Sequence, residues 1–521
     1  MSFGILNNLL GMGGGTQQNN NVEQIDDNLF IFNLTLDNGT SQVKLKFSAI
    51  EELNIIDDLR YFYVYGTFTI NYNNDILEAF ESIGDGAGIN SAISNSYQFR
   101  GDGRDILEID IMPQLEEQNC LEVYASDAER QKFNIKHKCA IYKYQDITKG
   151  KGKKSRKFYF WDLDYQYLNE INLNYSTGDK NKSKKSSVSY SSGEKVQTSK
   201  SNSDNEEYTG QIIEDLLKQG LVETAQTTFK KGEWDRGGSK YMYSSPANYT
   251  AIRDIEYALS VHTSDASNDH MPAILKKQRY TDKYDLKPLN LFYKPGGVFG
   301  GLFGGSSSKE NETFYIGKVD ASSPGMAGRS IGNVAGLNMS DYNLIEDYTF
   351  VRPHAKDIQQ NMTNSVVYTY DPRGFFAADV KENNYSNTKK SFDAAFSSGG
   401  TSNLPENKLR TDNKSVKHKY MAYSLDPNQR KNAGSNKGML NLFFKNTSIS
   451  FRVRGNTIRK TGQFFNIDRR DGNISNTYDN AMLGSYLTTY VRHEFASGSY
   501  TTMVHGVKSF TEKNQNFATV T

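Results

Sequence analysis

Cysteine is almost absent from this chain. Cys120 and Cys139 are its only two in 521 residues, with no C-x-x-C pair, so a disulfide scaffold is excluded and a reducing compartment is expected. No apolar run approaches the roughly 18 residues that a membrane-spanning helix needs. The apolar start, with Phe3, Ile5, Leu6, Leu9 and Leu10, lacks a basic flank and a small-residue cleavage site, so it reads as neither anchor nor signal peptide. An excess of one charge is missing too. The 61 Lys plus Arg against 60 Asp plus Glu leave +1, so nothing global points to nucleic acid or to an acidic partner.

Chemical motifs are equally scarce. The seven His are scattered, with no H-E-x-x-H. His493 and His505 are expected to face each other across the last hairpin as a packed pair, because zinc would need further ligands. Gly84, Gly86 and Gly88 lack dinucleotide-fingerprint spacing, and Gly150 to Ser155 imitates only the end of a phosphate loop. Asp468 with Asp471-Gly472 lacks the final Glu of a calcium loop and reads as a hairpin turn. No carboxylate pair or nucleophile elbow stands out. The expectation is no enzyme, with no catalytic, cofactor-binding or metal residues.

What is abundant is Tyr (33) and Phe (29) within a low apolar content of 36%, a mix suited to strands joined by long polar loops. The block from Leu440 to Phe510 shows this best. Ile449, Phe451 and Val453 alternate with Ser450, Arg452 and Arg454, giving a strand with one apolar face. Phe464 to Ile467 starts another strand, and Ser485 to Phe495 returns through Ser497-Gly498-Ser499 into Tyr500 to Val507 as a hairpin.

Earlier strands are read at Leu29–Leu36, Gln42–Phe47, Tyr61–Tyr72 with Gly66 as a bulge, Arg104–Ile111, Lys132–Tyr144 and Lys157–Leu163, with a short helix opening at Asp75–Phe80. From Glu206 the period lengthens. Thr209 to Leu217 is an amphipathic helix, Trp234 follows, and Ser245 to Ser260 is a helix with Ser245 as N-cap and Pro246 at its first position. Strands at Leu289–Tyr293 and Phe314–Ile316 flank a Gly/Ser loop, and Asp341–Arg352 and Thr363–Tyr370 add two more.

The residues Gly455, Gly462, Gln463, Ile467, Gly484, Tyr486, Val491, His493, Phe495, Gly498, Tyr500, Thr502 and Val504 carry a resemblance. Their order resembles the closing barrel strands of trimeric baseplate hub proteins of contractile-tailed bacteriophages and related contractile injection systems. The resemblance implies an α+β, β-rich chain with two similar small β-barrel tube domains, an inserted α/β domain and long polar loops. The expected plan is a flexible arm (1–21), a first tube domain (22–175), a Ser/Lys linker (176–205), the inserted domain (206–340), and a second tube domain (341–383 and 439–515) interrupted by a polar insertion (384–438). The long polar tracts depart from the family pattern.

The function implied is that of a homotrimer joining the six-fold tail tube to the three-fold central spike. Its partners would be spike, tail tube and inner baseplate proteins, with tape measure protein and DNA passing through. Its place would be the virion tail, assembled in host cytoplasm. Arg452, Arg454, Arg459 and Lys460 are candidates for a hydrated lumen or interface surface. Lys151, Lys153, Lys154, Arg156 and Lys157 form a basic loop at a hairpin tip, a candidate partner contact. The competing reading is a β-rich surface protein that binds or hydrolyses carbohydrate, with Trp161 or Trp234 stacking on sugar; a nucleic-acid module using the basic loop is a third.

Overall fold

The computed structural model describes residues 30–72, 76–82, 97–100, 104–113, 134–148, 154–177, 206–222, 229–264, 271–279, 283–289, 312–316, 343–345, 347–352, 365–369, 382–383, 390, 392–394, 401–402, 419–422, 436, 439–469, 482–496, 499–508 and 510–511. The N-terminal arm, the Ser/Lys tract 179–205, Gly84 to Gly88 and Asp471-Gly472 lie outside these residues.

The first group of strands is β1 (Phe30–Asp37), β2 (Gln42–Leu45), β3 (Ile50–Asp58), β4 (Tyr65–Tyr72), β5 (Phe80–Ser82), β6 (Asp105–Pro113), β7 (Ile135–Thr148) and β8 (Lys154–Asp162). A mainly helical stretch follows, with α1 (Leu163–Glu170), β9 (Glu207–Tyr208), α2 (Thr209–Val222), β10 (Lys230–Trp234), β11 (Lys240–Tyr241), α3 (Ala251–Val261), β12 (Ala273–Lys277) and β13 (Lys283–Pro288). The remaining strands are β14 (Glu312–Ile316), β15 (Asp347–Val351), β16 (Ser365–Thr369), β17 (Glu382–Asn383), β18 (Thr401–Ser402), β19 (Lys419–Ala422), β20 (Thr447–Arg454), β21 (Phe464–Arg469), β22 (Gly484–Ala496), β23 (Ser499–Lys508) and β24 (Phe510–Thr511). Among the described residues no helix is long and apolar enough to cross a membrane.

The chain is β-rich, and strands from its two ends share one sheet of fourteen, in the order β15-β20-β23-β22-β3-β4-β8-β7-β6-β1-β2-β5, with β14 and β21 to the side. Neighbours along this path are antiparallel; β14 with β21 is the parallel pair of the sheet. The joint is β22. One edge pairs with β23 along its length, while the other is divided between β21 (Phe464↔Leu487) and β3 (Tyr490↔Asp58 to Ala496↔Glu52). A register shift between Thr488 and Tyr490 separates the two stretches, since an extra residue in one strand re-aims the side chains beyond it. Thr489 O, at that shift, accepts from Leu59 N at 2.8 Å.

Alternation decides which face is covered. Ile449, Phe451 and Val453 are buried with Phe314, Phe465, Ile467, Tyr486 and Val504 in one core. Phe495 and Tyr500, from the C-terminal hairpin, belong instead to the core of β1 to β8, beside Ile55, Phe68 and Phe158. Their rings stack at 4.1 Å. Each such buried aromatic contributes about 1.5–3 kcal/mol, so the two ends of the chain share one packed interior. A third core holds Ile212, Ile213, Leu216 and Leu217 of α2 against Ile252 and Ile255 of α3, and it also takes in Leu275 and Leu286 from the small sheet β10-β13-β12.

Several expectations change. Gly66 is not a bulge; the irregularity between β3 and β4 lies at Ile50 to Glu52. A side chain at Gly66 would meet Asn54 O at 2.0 Å and the Phe160 ring at 2.6 Å, so close packing requires glycine there. Tyr61 to Tyr63 precede the strand, which starts at Tyr65. The helix expected from Ser245 starts at Ala251 with Thr250 as N-cap, because the Ser245 hydroxyl donates to Asp254 at 2.7 Å rather than capping a turn. Asp75–Phe80 yields one 3₁₀ turn, Ile76–Ala79. The strand 365–369 pairs with β17 and β19 in a small sheet of its own and does not extend the large one. His493 and His505 lie on opposite faces of β22–β23: His493 is opposite Thr502, and His505 is opposite Tyr490.

Candidate functional site

The expected cationic groups separate. Arg452 is exposed on β20 and pairs with Glu494 at 3.4 Å, next to Arg492, which reaches Glu494 at 3.4 Å, Glu52 at 3.6 Å and Asn54 Oδ1 at 2.8 Å. This ladder of charges crosses the joint from β20 to β3 on its solvent side. Arg454 is half-buried, and its carbonyl accepts from the Arg459 guanidinium. Arg459 corrects the expectation of a hydrated surface. It is 3% exposed, bound to Glu312 at 2.9 Å and to Asn343 Oδ1 at 3.2 Å, with its guanidinium 5.1 Å from the Phe314 ring centre. Period-2 counting could not show this, because Arg459 follows the turn at Gly455-Asn456, where alternation ends.

Lys460 sits beside Arg459. Burial, aided by the nearby Arg279 cation, pushes its ammonium down to about 8. Arg279 is the centre of this region. It donates to Thr457 O at 2.6 Å, to Arg459 O at 3.3 Å and to His493 Nε2 at 3.1 Å. A guanidinium cannot accept, so Nε2 is the acceptor and Nδ1 carries the proton, donating to the Tyr500 hydroxyl at 2.7 Å. Burial first, then the Arg279 charge, holds His493 well below its ordinary range and therefore neutral.

Arg279 belongs to a set that sequence reasoning missed. Lys276 and Lys277 of β12 reach across to the large sheet: Lys276 pairs with Asp57 of β3, and Lys277 pairs with Asp162 at 3.1 Å and Asp164 at 2.7 Å, where β8 runs into α1. Asp57 also accepts from Thr461 N at 3.1 Å. Burial raises the Asp57 pKa, but Lys276 and Arg279 outweigh it and hold the group well below the usual carboxylate range. Asp162 goes the other way, pushed up to about 6 by burial and by Asp164, with Lys277 opposing. Lys276-Lys277-Gln278-Arg279 thus bolts the helical layer onto both halves of the sheet. The available signal was three cations following the apolar Ala273-Ile274-Leu275, a place where solvated lysines are not expected.

The basic hairpin tip is only partly described. Lys151 and Lys153 lie outside the described residues. Lys154, Arg156 and Lys157 are not loop residues but the start of β8. Arg156 pairs with Asp146 at 2.5 Å and lies 4.8 Å from the Tyr144 ring centre, while Lys157 lies 5.8 Å from that of Tyr159. Both tryptophans offered for sugar stacking have protein partners. Trp161 stacks on Tyr142 at 3.8 Å and donates to Gln166 at 2.6 Å; Trp234 donates to Gly210 O at 2.9 Å. Among the described residues no group of His, Cys, Asp and Glu is placed to hold a metal.

The glycines of the closing pattern have a geometric role. A side chain at Gly455 would meet the Tyr500 ring at 2.2 Å, and Gly455 N donates to Tyr500 O at 2.8 Å. Gly462, at φ 81°, donates to Thr488 O at 2.9 Å, and Thr488 N returns to Gln463 O at 2.8 Å.

No family model matches the chain, and no curated protein matches it. Solved structures that the chain matches include a tail protein from Neisseria meningitidis MC58, 8% identical with a TM-score of 0.43, covering 91% of this chain and 96% of that one. The 43 kDa tail protein of prophage MuSo2 from Shewanella oneidensis is 6% identical, with a TM-score of 0.43 and coverage of 91% and 98%. An E. coli component of the type VI secretion system is 6% identical, with a TM-score of 0.35 and coverage of 91% and 76%.

Proposed function

We propose that this chain is a structural baseplate hub of a contractile tail, without catalytic activity of its own. Three copies form a ring of pseudo-six-fold character that receives the hexameric tail tube on one side and the trimeric spike on the other. The ring leaves a channel for tape measure protein and DNA. The observation that supports this reading best is the continuity of one large sheet through β22 and β3, which makes the N-terminal and C-terminal strand groups a single rigid body. A ring that passes force and cargo needs such rigidity, and two strand groups per chain give a trimer six related surfaces.

In this proposal each strand group is one tube domain, and the helical stretch from α2 to β13 is the domain inserted between them. Edge strands such as β15, where Tyr348 and Val351 are 46% and 50% exposed, meet neighbouring chains, as unpaired edges otherwise invite uncontrolled association. Arg452 stays available to solvent or lumen; Arg459 serves inside the fold. Electron microscopy of the purified full chain tests this: three-fold rings with a central channel are expected, and compact single particles without a channel would refute it.

A further inference from the structure

The outer face of the β7–β8 hairpin carries features that neither the core nor the bolt uses. A register shift lies between Ile141 and Lys143, so Tyr142 is the extra residue. Without it, Lys143 would continue the inward series of Cys139 and Ile141; with it, Tyr142 and Lys143 both come to the outer face. There Tyr142, 36% exposed, lies against Trp161, and Lys143 lies 5.1 Å from the ring centre of Tyr159. Lys157 flanks the same ring at 5.8 Å.

The outward charges of the hairpin itself are lysines, while Glu51 at Ser155 and Glu108 paired with Lys138 reach the same side of the sheet from neighbouring strands. Among the described residues, neither Lys143 nor Lys157 is paired with a carboxylate, and the acids of the hairpin are already engaged: Asp146 with Arg156, Asp162 with Lys277. The chain as a whole is balanced at +1, so this is a local concentration. Such a face fits an anionic partner, and the rings narrow the choice. A base or a sugar needs a bare ring face to stack on. Here Trp161 and Tyr142 cover one face of each other, Tyr165 stands against Trp161 at 5.0 Å, and Tyr159 lies near two ammonium groups. What the face offers a partner most is tyrosine hydroxyls and lysine ammoniums, the groups that protein interfaces use against carboxylates and carbonyls.

We infer that the outer face of β7–β8, with Tyr142, Lys143, Lys157, Tyr159 and Trp161, is a docking surface for an acidic protein. The inference does not depend on the three-fold ring and has its own test. Binding of the full chain to poly-glutamate, to oligo-dT of equal charge and to a neutral glucan oligosaccharide is measured for the wild type, for Lys143→Glu with Lys157→Glu, and for Tyr142→Ala with Tyr159→Ala. Poly-glutamate is expected to bind more tightly than oligo-dT, to weaken about ten-fold or more with the lysine changes, and to weaken measurably with the tyrosine changes. Lys143→Gln with Lys157→Gln repeats the lysine arm should the charge reversal fail to fold. Tighter oligo-dT binding would make the face a nucleic-acid site, and glucan binding lost with Tyr142 would make it a sugar site; either overturns the inference. So would absence of binding to poly-glutamate, or a lysine variant whose mass in solution falls, which would mean that a second copy covers the face.

Discussion

Two long hairpins of the same sheet are put to opposite uses. In β22–β23 the inward residues His493, Phe495, Tyr500, Thr502 and Val504 are all buried, and the charged groups that reach them are locked by several partners each. In β7–β8 the buried residues Cys139, Ile141, Phe158 and Phe160 serve one core, while the other face leaves Tyr142 and Lys143 in solvent. Both hairpins contain an extra residue. At Thr489 it lets one strand serve two neighbours; at Tyr142 it turns a lysine outward. The same local device therefore fastens one region and exposes the other, and the packing around it decides which.

The largest effect should come from breaking a buried charge pair at the bolt and its exposed counterpart in the open hairpin. Asp57→Ala strands Lys276 in the interior and is expected to cost about 3–5 kcal/mol in denaturant unfolding. Asp146→Ala removes the partner of Arg156, and Asp146 is 54% exposed in its side chain, so less than about 1 kcal/mol is expected. Equal costs would show that the bolt is not the fastening. Because Asp57 is held below its unfolded value, its contribution is complete above about pH 4 and is lost as pH falls further.

Next is Gly455→Ala, which places a methyl against Tyr500 and should cost about 1–3 kcal/mol by thermal melting; an unchanged melting temperature would deny that the hairpin is tightly closed there.

A smaller and pH-dependent effect follows from the buried histidines. His493 is held well below its ordinary value and His262 is pushed down to about 4, burial being the first cause in each. Their stabilisation is complete above about pH 6.5 and declines as pH falls, by up to about 1.4 kcal/mol per pH unit for each group. Urea unfolding at pH 7.5, 6 and 5 measures the slope, and a flat profile would contradict it. A change of about 0.5–1.5 kcal/mol by urea unfolding is expected for Tyr142→Ser in the open hairpin, which removes the ring stacked on Trp161.

Alternation alone made β20, β22 and β23 legible, because Ile449, Phe451 and Val453 face one core and their polar neighbours do not. The amphipathic spacing of Ile212, Ile213, Leu216 and Leu217 likewise showed α2. The strand that joins the halves was not legible. Glu51, Glu52, Asp57 and Asp58 give Ile50–Asp58 the look of a solvated segment; pairing with β4 and with β22, distant in sequence, makes it a strand, while Lys276, Arg492 and Arg60 balance Asp57, Glu52 and Asp58. In the sequence Arg459 and Lys460 are simply cations in a β-rich block, yet whether a cation is buried depends on what reaches it from elsewhere, here Glu312 and Arg279. The β7–β8 residues were visible as a basic stretch, but not that a single extra tyrosine re-aims them.

The measurement that bears most directly on the proposed role is the mass of the purified full chain by light scattering over a range of concentrations. A species of three times 58.8 kDa is the result the hub reading requires. A single 58.8 kDa species at every concentration would contradict it.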